Sequence, residues 1–190
     1  MGTLTYSMIV SLDGYFEDGE GDFDWAEPSP QMHAFVNDRE RHVDTYLYGR
    51  RMFRMLECWE TDPALAEQSD EMRDFAQIWC GADKIVYSTT LSEPATSRTR
   101  IERAFDPDEV RRLKPHRTMT IGGADLAGHA LAAGIVDEIE LYVVPVVVGR
   151  GRRVLPDGYA AGLTLLEHHG FDDGAIYLHY RVEGGRTLGS

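Results

Sequence analysis

Two periodicities alternate along most of this chain, and then one of them stops. Leu4, Tyr6, Met8, Val10 and Leu12 share one face of an alternating run and Thr5, Ser7, Ile9 and Ser11 the other, the pattern of a β-strand. Met32, Phe35, Val36 and Arg39 then repeat at helical spacing from Pro30 to about Arg41. The alternation continues with a strand at 45–48 closed by Gly49 and a short helix at 50–57. Asp62 as N-cap and Pro63 at the first helical position open a helix whose stripe is Leu65, Met72, Phe75, Ala76 and Trp79, ending near Gly81. Strands at 84–87 and 99–102 follow, then a helix from Asp106-Pro107 to Lys114-Pro115, a strand at 118–121, and a helix at 124–133 closed by Gly134. After that only strands remain. The first covers 138–148, where Pro145 suggests an edge or a bulge; those at 164–168 and 176–182 are joined by a turn at 171–174. Strands separated by helices pair in parallel, because the crossover is long enough, whereas strands separated by a turn pair antiparallel. The expected fold is therefore α/β: a mostly parallel central sheet flanked by helices, with a C-terminal antiparallel hairpin. The chain has 190 residues and no repeat or linker, so one domain is expected over 1–190, with 184–190 as a loose tail.

Charge narrows the possible ligands. With 19 basic and 32 acidic residues the net charge is −13, which argues against nucleic acid and against an anionic membrane surface. No apolar run reaches membrane-spanning length, and no basic segment followed by an apolar core opens the chain. Cys58 and Cys80 lack partners at metal-ligand spacing and read as reduced thiols of a cytoplasmic protein; adjacent His168 and His169 on a strand point to opposite faces, so no metal site is expected. An anionic cofactor in so acidic a chain needs a local arginine cluster or helix N-termini.

Three places meet that criterion, each where a strand ends. Ile121-Gly122-Gly123-Ala124-Asp125-Leu126 runs from strand through turn into helix, and a helix N-terminus offers unpaired N–H groups and partial positive charge to a pyrophosphate. The glycines either let a ligand approach or only make a tight turn. Gly49-Arg50-Arg51 places two guanidinium groups at a second junction, suited to phosphate. Ser88-Thr89-Thr90 follows a third strand, where the hydroxyls serve equally well as phosphate ligands or as caps. Ligands of open α/β sheets bind outside such strand ends, although none of the three motifs is a dinucleotide fingerprint or a Walker A loop.

Val10-Ser11-Leu12-Asp13-Gly14, Gly49-Arg50-Arg51, Gly122-Gly123-Ala124 and Gly134-Ile135-Val136-Asp137-Glu138 leading to Val143-Val144-Pro145 and Gly149-Arg150-Gly151 together resemble one family. So does Phe171-Asp172-Asp173-Gly174 with Leu178-His179-Tyr180-Arg181-Val182. It is the C-terminal reductase domain of the bifunctional riboflavin-biosynthesis deaminase/reductase. The resemblance implies a three-layer dihydrofolate-reductase-like fold, a homodimer, a small-molecule substrate and NADPH as hydride donor. It implies that Ile121, Gly122, Gly123, Ala124, Asp125 and Leu126 cradle the pyrophosphate, while Gly49, Arg50 and Arg51, with Ser88 and Thr89, lie near the 2′-phosphate. It places Ser11, Asp13, Tyr15, Phe16 and Trp25 over the nicotinamide and substrate, with Asp13 the best acid there, and it implies a cis peptide between Gly122 and Gly123. Asp-Gly is also a common turn, in which the carboxylate only holds its own loop.

The chain departs from its relatives in several ways. It has no His-x-Glu with Pro-Cys-x-x-Cys, so only a reductase half is present. Dihydrofolate reductases carry an acid early in the first helix; if Trp25 is the matching tryptophan, the acid's place falls near Pro30 or Gln31, and a carboxamide does not replace it. A substrate with a ribose phosphate needs cations near the first loop, yet 13–30 has no Lys or Arg and holds Glu17, Asp18, Glu20, Asp22, Asp24 and Glu27. The leading expectation is a reductase resembling 5-amino-6-(5-phosphoribosylamino)uracil reductase, with a different substrate open. The alternatives are a divergent dihydrofolate reductase and a non-catalytic NADP(H)-binding scaffold.

Overall fold

The computed structural model describes residues 2–187; position 1 and the end of the expected tail, 188–190, lie outside the described residues. In chain order the elements are β1 (Leu4–Ser11), β2 (Tyr15–Asp18), α1 (Pro30–Glu40), β3 (Thr45–Gly49), α2 (Arg50–Leu56), α3 (Cys58–Thr61), α4 (Pro63–Ala66) and α5 (Asp70–Gly81). Then come β4 (Asp83–Tyr87), β5 (Thr99–Glu102), α6 (Pro107–Leu113), β6 (Met119–Gly122), α7 (Ala124–Ala132), β7 (Glu138–Val144), β8 (Gly151–Arg153), β9 (Tyr159–Gly170) and β10 (Ile176–Thr187).

One eight-stranded sheet runs β5-β4-β3-β6-β1-β7-β10-β9. Its strands are parallel from β5 to β7; β10 joins β7 antiparallel, and β9 joins β10. Leu4, Tyr6 and Val10 of β1, with Leu47 and Ile121, pack under Leu126, Ala127, Ala130 and Leu131 of α7 and Val110 of α6. On the opposite face Tyr46, Tyr48 and Val86 meet Phe53 of α2 and Trp79 of α5. Further along that face Met32 of α1 meets Tyr142, Val144 and Tyr177. The result is the expected three-layer α/β fold.

The details differ where local chemistry overrides periodicity. The helix expected from Asp62 breaks in two: Asp62 caps only α4 through Ala64 N–H (3.1 Å), and Ser69 starts α5 by accepting from Met72 N–H (3.1 Å). Strand β7 ends before Pro145 and lies inside the sheet, between β1 and β10, so the proline marks a strand end and not an edge. Leu12 lies past the end of β1 and is exposed. Residues 184–187, expected as tail, continue β10 against β9 beyond a bulge after Glu183. The segment after Asp13 is not all loop: β2 pairs antiparallel with β8 in a separate two-stranded ribbon.

Candidate functional site

The C-terminal ends of β3 and β6 lie side by side, since Tyr48 pairs with Gly122, and β1 beside them runs on to Ser11 beyond the pairing of Tyr6 with Ile121. Two helices begin at these ends without a side-chain cap: α2 after Gly49 and α7 after Gly123. By contrast α1, α4, α5 and α6 are capped by Ser29, Asp62, Ser69 and Asp106. The first intrahelical bond of α7 is Ala127 N–H to Gly123 O (3.0 Å), so the N–H groups of Ala124, Asp125 and Leu126 precede it and point out of the helix end. This donor set suits a phosphate group.

The glycines between β6 and α7 answer first to the protein's own packing. A Cβ on Gly122 would stand 3.0 Å from Tyr48 Cε1 and 3.3 Å from Met52 Cε, and Gly123 has φ +91°. Their peptide is trans, against the cis bond the resemblance implies; the positive φ of Gly123 turns the chain instead. The side chains of Ile121 and Leu126 are buried in the core, so only their backbones reach the helix end.

Arg50 is exposed and donates to Thr90 Oγ1 (2.9 Å); it makes no ion pair among the described residues. Ser88 is buried and its Oγ accepts from the N–H groups of Thr90 (3.3 Å) and Leu91 (3.0 Å), the capping role. Thr89 is exposed, and it is Thr90 that meets the arginine.

The first loop is anchored across the site. Leu12 N–H donates to Val146 O (2.8 Å), Val154 N–H donates to Gly14 O (3.0 Å), and Ser11 Oγ accepts from Tyr15 N–H (3.0 Å). Asp13 accepts from the N–H groups of Val148 (3.2 Å) and Gly149 (2.8 Å). Desolvation pushes its carboxyl upward, but bonds from Ser11, Gly149 and Val148 outweigh it and hold the group below the usual carboxylate range. Asp13 is thus an ionised loop anchor, poorly suited to give up a proton. Phe16 packs against the core, with the Arg152 guanidinium 5.1 Å over its ring, and Arg153 lies over Tyr15. Trp25 packs near Ile9, Tyr142 and Val144, and its indole N–H is buried without a partner.

Sequence reasoning missed Arg152 and the place of Glu17. The Glu17 carboxylate, 7% exposed, pairs with Arg51 (2.8 Å) and reaches toward Arg152 (3.7 Å); Arg152 also pairs with Asp125 in the first turn of α7. Glu17, Arg51 and Arg152, with Asp18, Glu20 and Arg150, line an open cavity of about 570 Å³. Close approach explains Gly151 in the ribbon: its φ is +145°, and a Cβ there would stand 2.0 Å from Glu17 O.

A profile of the RibD C-terminal domain matches residues 2–177. The chain belongs to this family. The uncharacterised protein YyaP of Bacillus subtilis (strain 168) is 29% identical over 185 residues, 95% of each chain. A protein of Shewanella sp. PV-4 described as a riboflavin biosynthesis protein superposes with TM-score 0.73 at 19% identity, covering 95% of this chain and 99% of its own. The Thermotoga maritima diaminohydroxyphosphoribosylaminopyrimidine deaminase/5-amino-6-(5-phosphoribosylamino)uracil reductase superposes with TM-score 0.61 at 14% identity; 95% of this chain matches 56% of that one. A pyrimidine reductase-like protein of Corynebacterium diphtheriae gives TM-score 0.64 at 13% identity over 95% and 92% of the two chains. At these identities the superpositions show the RibD-like fold. Among the described residues no helix is long and apolar enough to cross a membrane, and no group of His, Cys, Asp or Glu suits a metal ion.

Proposed function

We propose that this RibD C-terminal domain is an NADPH-dependent reductase acting on a small heterocyclic or carbonyl substrate. The observation that carries the reading is the pair of uncapped helix N-termini, α2 and α7, side by side at the strand ends with arginines at their rim. These groups fit the phosphates of a dinucleotide: α7 and Arg51 the diphosphate, Arg50 and Thr90 the 2′-phosphate. Bound there, NADPH supplies the hydride, and the protein supplies position. Ser11, Tyr15 and Trp25 frame the substrate side.

The relative from Thermotoga maritima is named for a phosphoribosyl substrate. We infer a substrate without a phosphate here. Residues 13–30, the loop on the substrate side, hold no Lys or Arg and carry Glu17, Asp18, Glu20, Asp22, Asp24 and Glu27. Classical dihydrofolate reduction is disfavoured: the first turn of α1 has no acid, and Gln31 Oε1 accepts from Asp172 N–H (3.0 Å).

Titration of the purified protein with NADPH and NADH, followed by nicotinamide fluorescence, tests the cofactor. NADPH is expected to bind tighter, and Arg50→Ala to lose about tenfold of that affinity and the preference with it, the lower end for a charge-assisted hydrogen bond at an exposed site. Binding of neither nucleotide would remove the reductase reading.

We also infer a homodimer through the β9–β10 hairpin. Edge strand β9 exposes Leu163, Leu165 and Leu166, and Ile176 of β10 is 46% exposed. Light scattering on a sizing column should give twice the chain mass, and Leu165→Asp should give one chain mass; a monomeric wild type would end this inference.

A further inference from the structure

The cleft between α2 and α7 already contains an anion, and the chain supplies it. Arg51 sits in the first turn of α2, and Arg152 is tied to Asp125 in the first turn of α7. The Glu17 carboxylate lies between the two guanidinium groups, nearly closed to solvent. A buried carboxylate is costly to hold unless cations face it, and two do. Arg150 adds a third guanidinium to the lining beside Asp18 and Glu20, Asp125 shares Arg152, and the uncapped start of α7 lies next to that pair.

We propose that the space between Arg51 and Arg152 is the seat of the cofactor's diphosphate, and that Glu17 is an internal stand-in that withdraws when the cofactor binds. The proposal rests on the NADPH reading above and adds two residues to it. Arg152, on the ribbon and far in sequence from either helix, becomes a diphosphate ligand. Glu17 becomes the residue that sets affinity, because a dianion and a carboxylate repel each other in a low-dielectric cleft. Withdrawal asks only for a movement of the Glu17 side chain: β2 and β8 pair with each other alone, and Phe16 keeps the ribbon seated on the core. Withdrawal of Glu17 frees both guanidinium groups, while Asp125, whose side chain is 84% exposed, stays hydrated beside Arg152.

The test uses NADPH and, as a separate probe, inorganic pyrophosphate, on the full chain. Glu17→Gln keeps shape and removes the charge; it should tighten both ligands about tenfold. Arg152→Ala should weaken both about tenfold, and Glu17→Gln introduced into the Arg152→Ala background should gain clearly less than tenfold, leaving the double variant weaker than wild type, since the two residues act on one another. Circular dichroism confirms that each variant is folded, and Arg152→Ala tests the diphosphate seat by itself if Glu17→Gln does not fold. Unchanged affinities in all variants, with NADPH still bound by the wild type, overturn this proposal and leave the reductase reading standing. Absence of NADPH and pyrophosphate binding in every variant overturns both.

Discussion

Trp79→Ala is expected to lower the free energy of unfolding by about 3–5 kcal/mol, a large share of what a domain of this size possesses. Trp79 is fully buried on α5, against Tyr48, Phe53 and Val86 beneath it. Deleting the ring leaves a cavity that rigid β3 and β4 cannot fill. It also exposes a second problem. Lys84, 1% exposed, is held by Trp79 O (3.1 Å), with its ammonium 4.2 Å from the Trp79 ring and 3.9 Å from Glu60 Oε2. Burial pulls its pKa below the ordinary lysine value, with Glu60 opposing. The alanine variant keeps the carbonyl but loses the aromatic face, so a buried cation loses one of its partners. Trp79→Phe separates the two contributions. It fills most of the space and removes an indole N–H that has no partner, so its loss should be under about 2 kcal/mol. Urea unfolding followed by circular dichroism reads both. Equal losses in the two variants would show that ring volume is not what Trp79 provides.

Much of the scaffold was legible because its signals are local. Asp106-Pro107 opens α6 as a cap and first-turn proline should, and Gly122-Gly123-Ala124 marks the turn from β6 into α7. Ser69-Asp70-Glu71, a cap followed by first-turn acids, was also present in the sequence, but the apolar stripe running through it masked the break between α4 and α5. The ribbon was not legible. Strands of four and three residues are too short for a period of two to show, and the pairing of Glu17 with Arg152 joins segments far apart in the chain. The site followed the same division. The helix starts and Arg50 are read from motifs, whereas the neutralisation of Arg51 by Glu17 depends on tertiary contacts that no motif records. The bland readings of Asp13 and Ser88, as loop anchor and cap, are the ones the hydrogen bonds favour.

Glu40→Gln should remove much of the loss of stability the protein undergoes as pH rises from 4.5 to about 7. Glu40, 8% exposed in the last turn of α1, has one oxygen buried without a hydrogen-bond partner. It lines a cavity of about 470 Å³ at the N-terminal ends of β1, β6 and β7, shared with Asp38, Arg39, His42, Glu138 and Glu140. Burial first, and then the charge of Glu140, pushes its pKa from 4.5 to about 7. The Tyr46 hydroxyl pulls the other way, but the charged neighbours do not offset the rise. Arg39 is committed to Glu167, and burial also raises Glu140, whose carboxylate accepts from Tyr177 Oη (2.8 Å). The folded chain therefore binds this proton more tightly than the unfolded chain, so stability falls as pH rises from 4.5 to about 7 and stays reduced above it. At about 1.36 kcal/mol per pH unit the loss is on the order of 3 kcal/mol. His179 adds to the same trend: its bond to Glu138 raises its pKa, and that stabilisation disappears as pH climbs past the raised value. On the acid side the sign reverses for Asp74 and Asp83, held low by Arg41 and Arg117, whose stabilisation is lost as pH falls through their depressed values. Wild-type stability should thus peak near about pH 5. Glu40→Gln resembles the protonated wild type, so the two should unfold alike in urea at about pH 5, and the variant should be the more stable by on the order of 3 kcal/mol at about pH 8. The same difference at both pH values would mean that Glu40 carries no buried charge under alkaline conditions and that its environment is more polar than the packing of α1 over β7 implies.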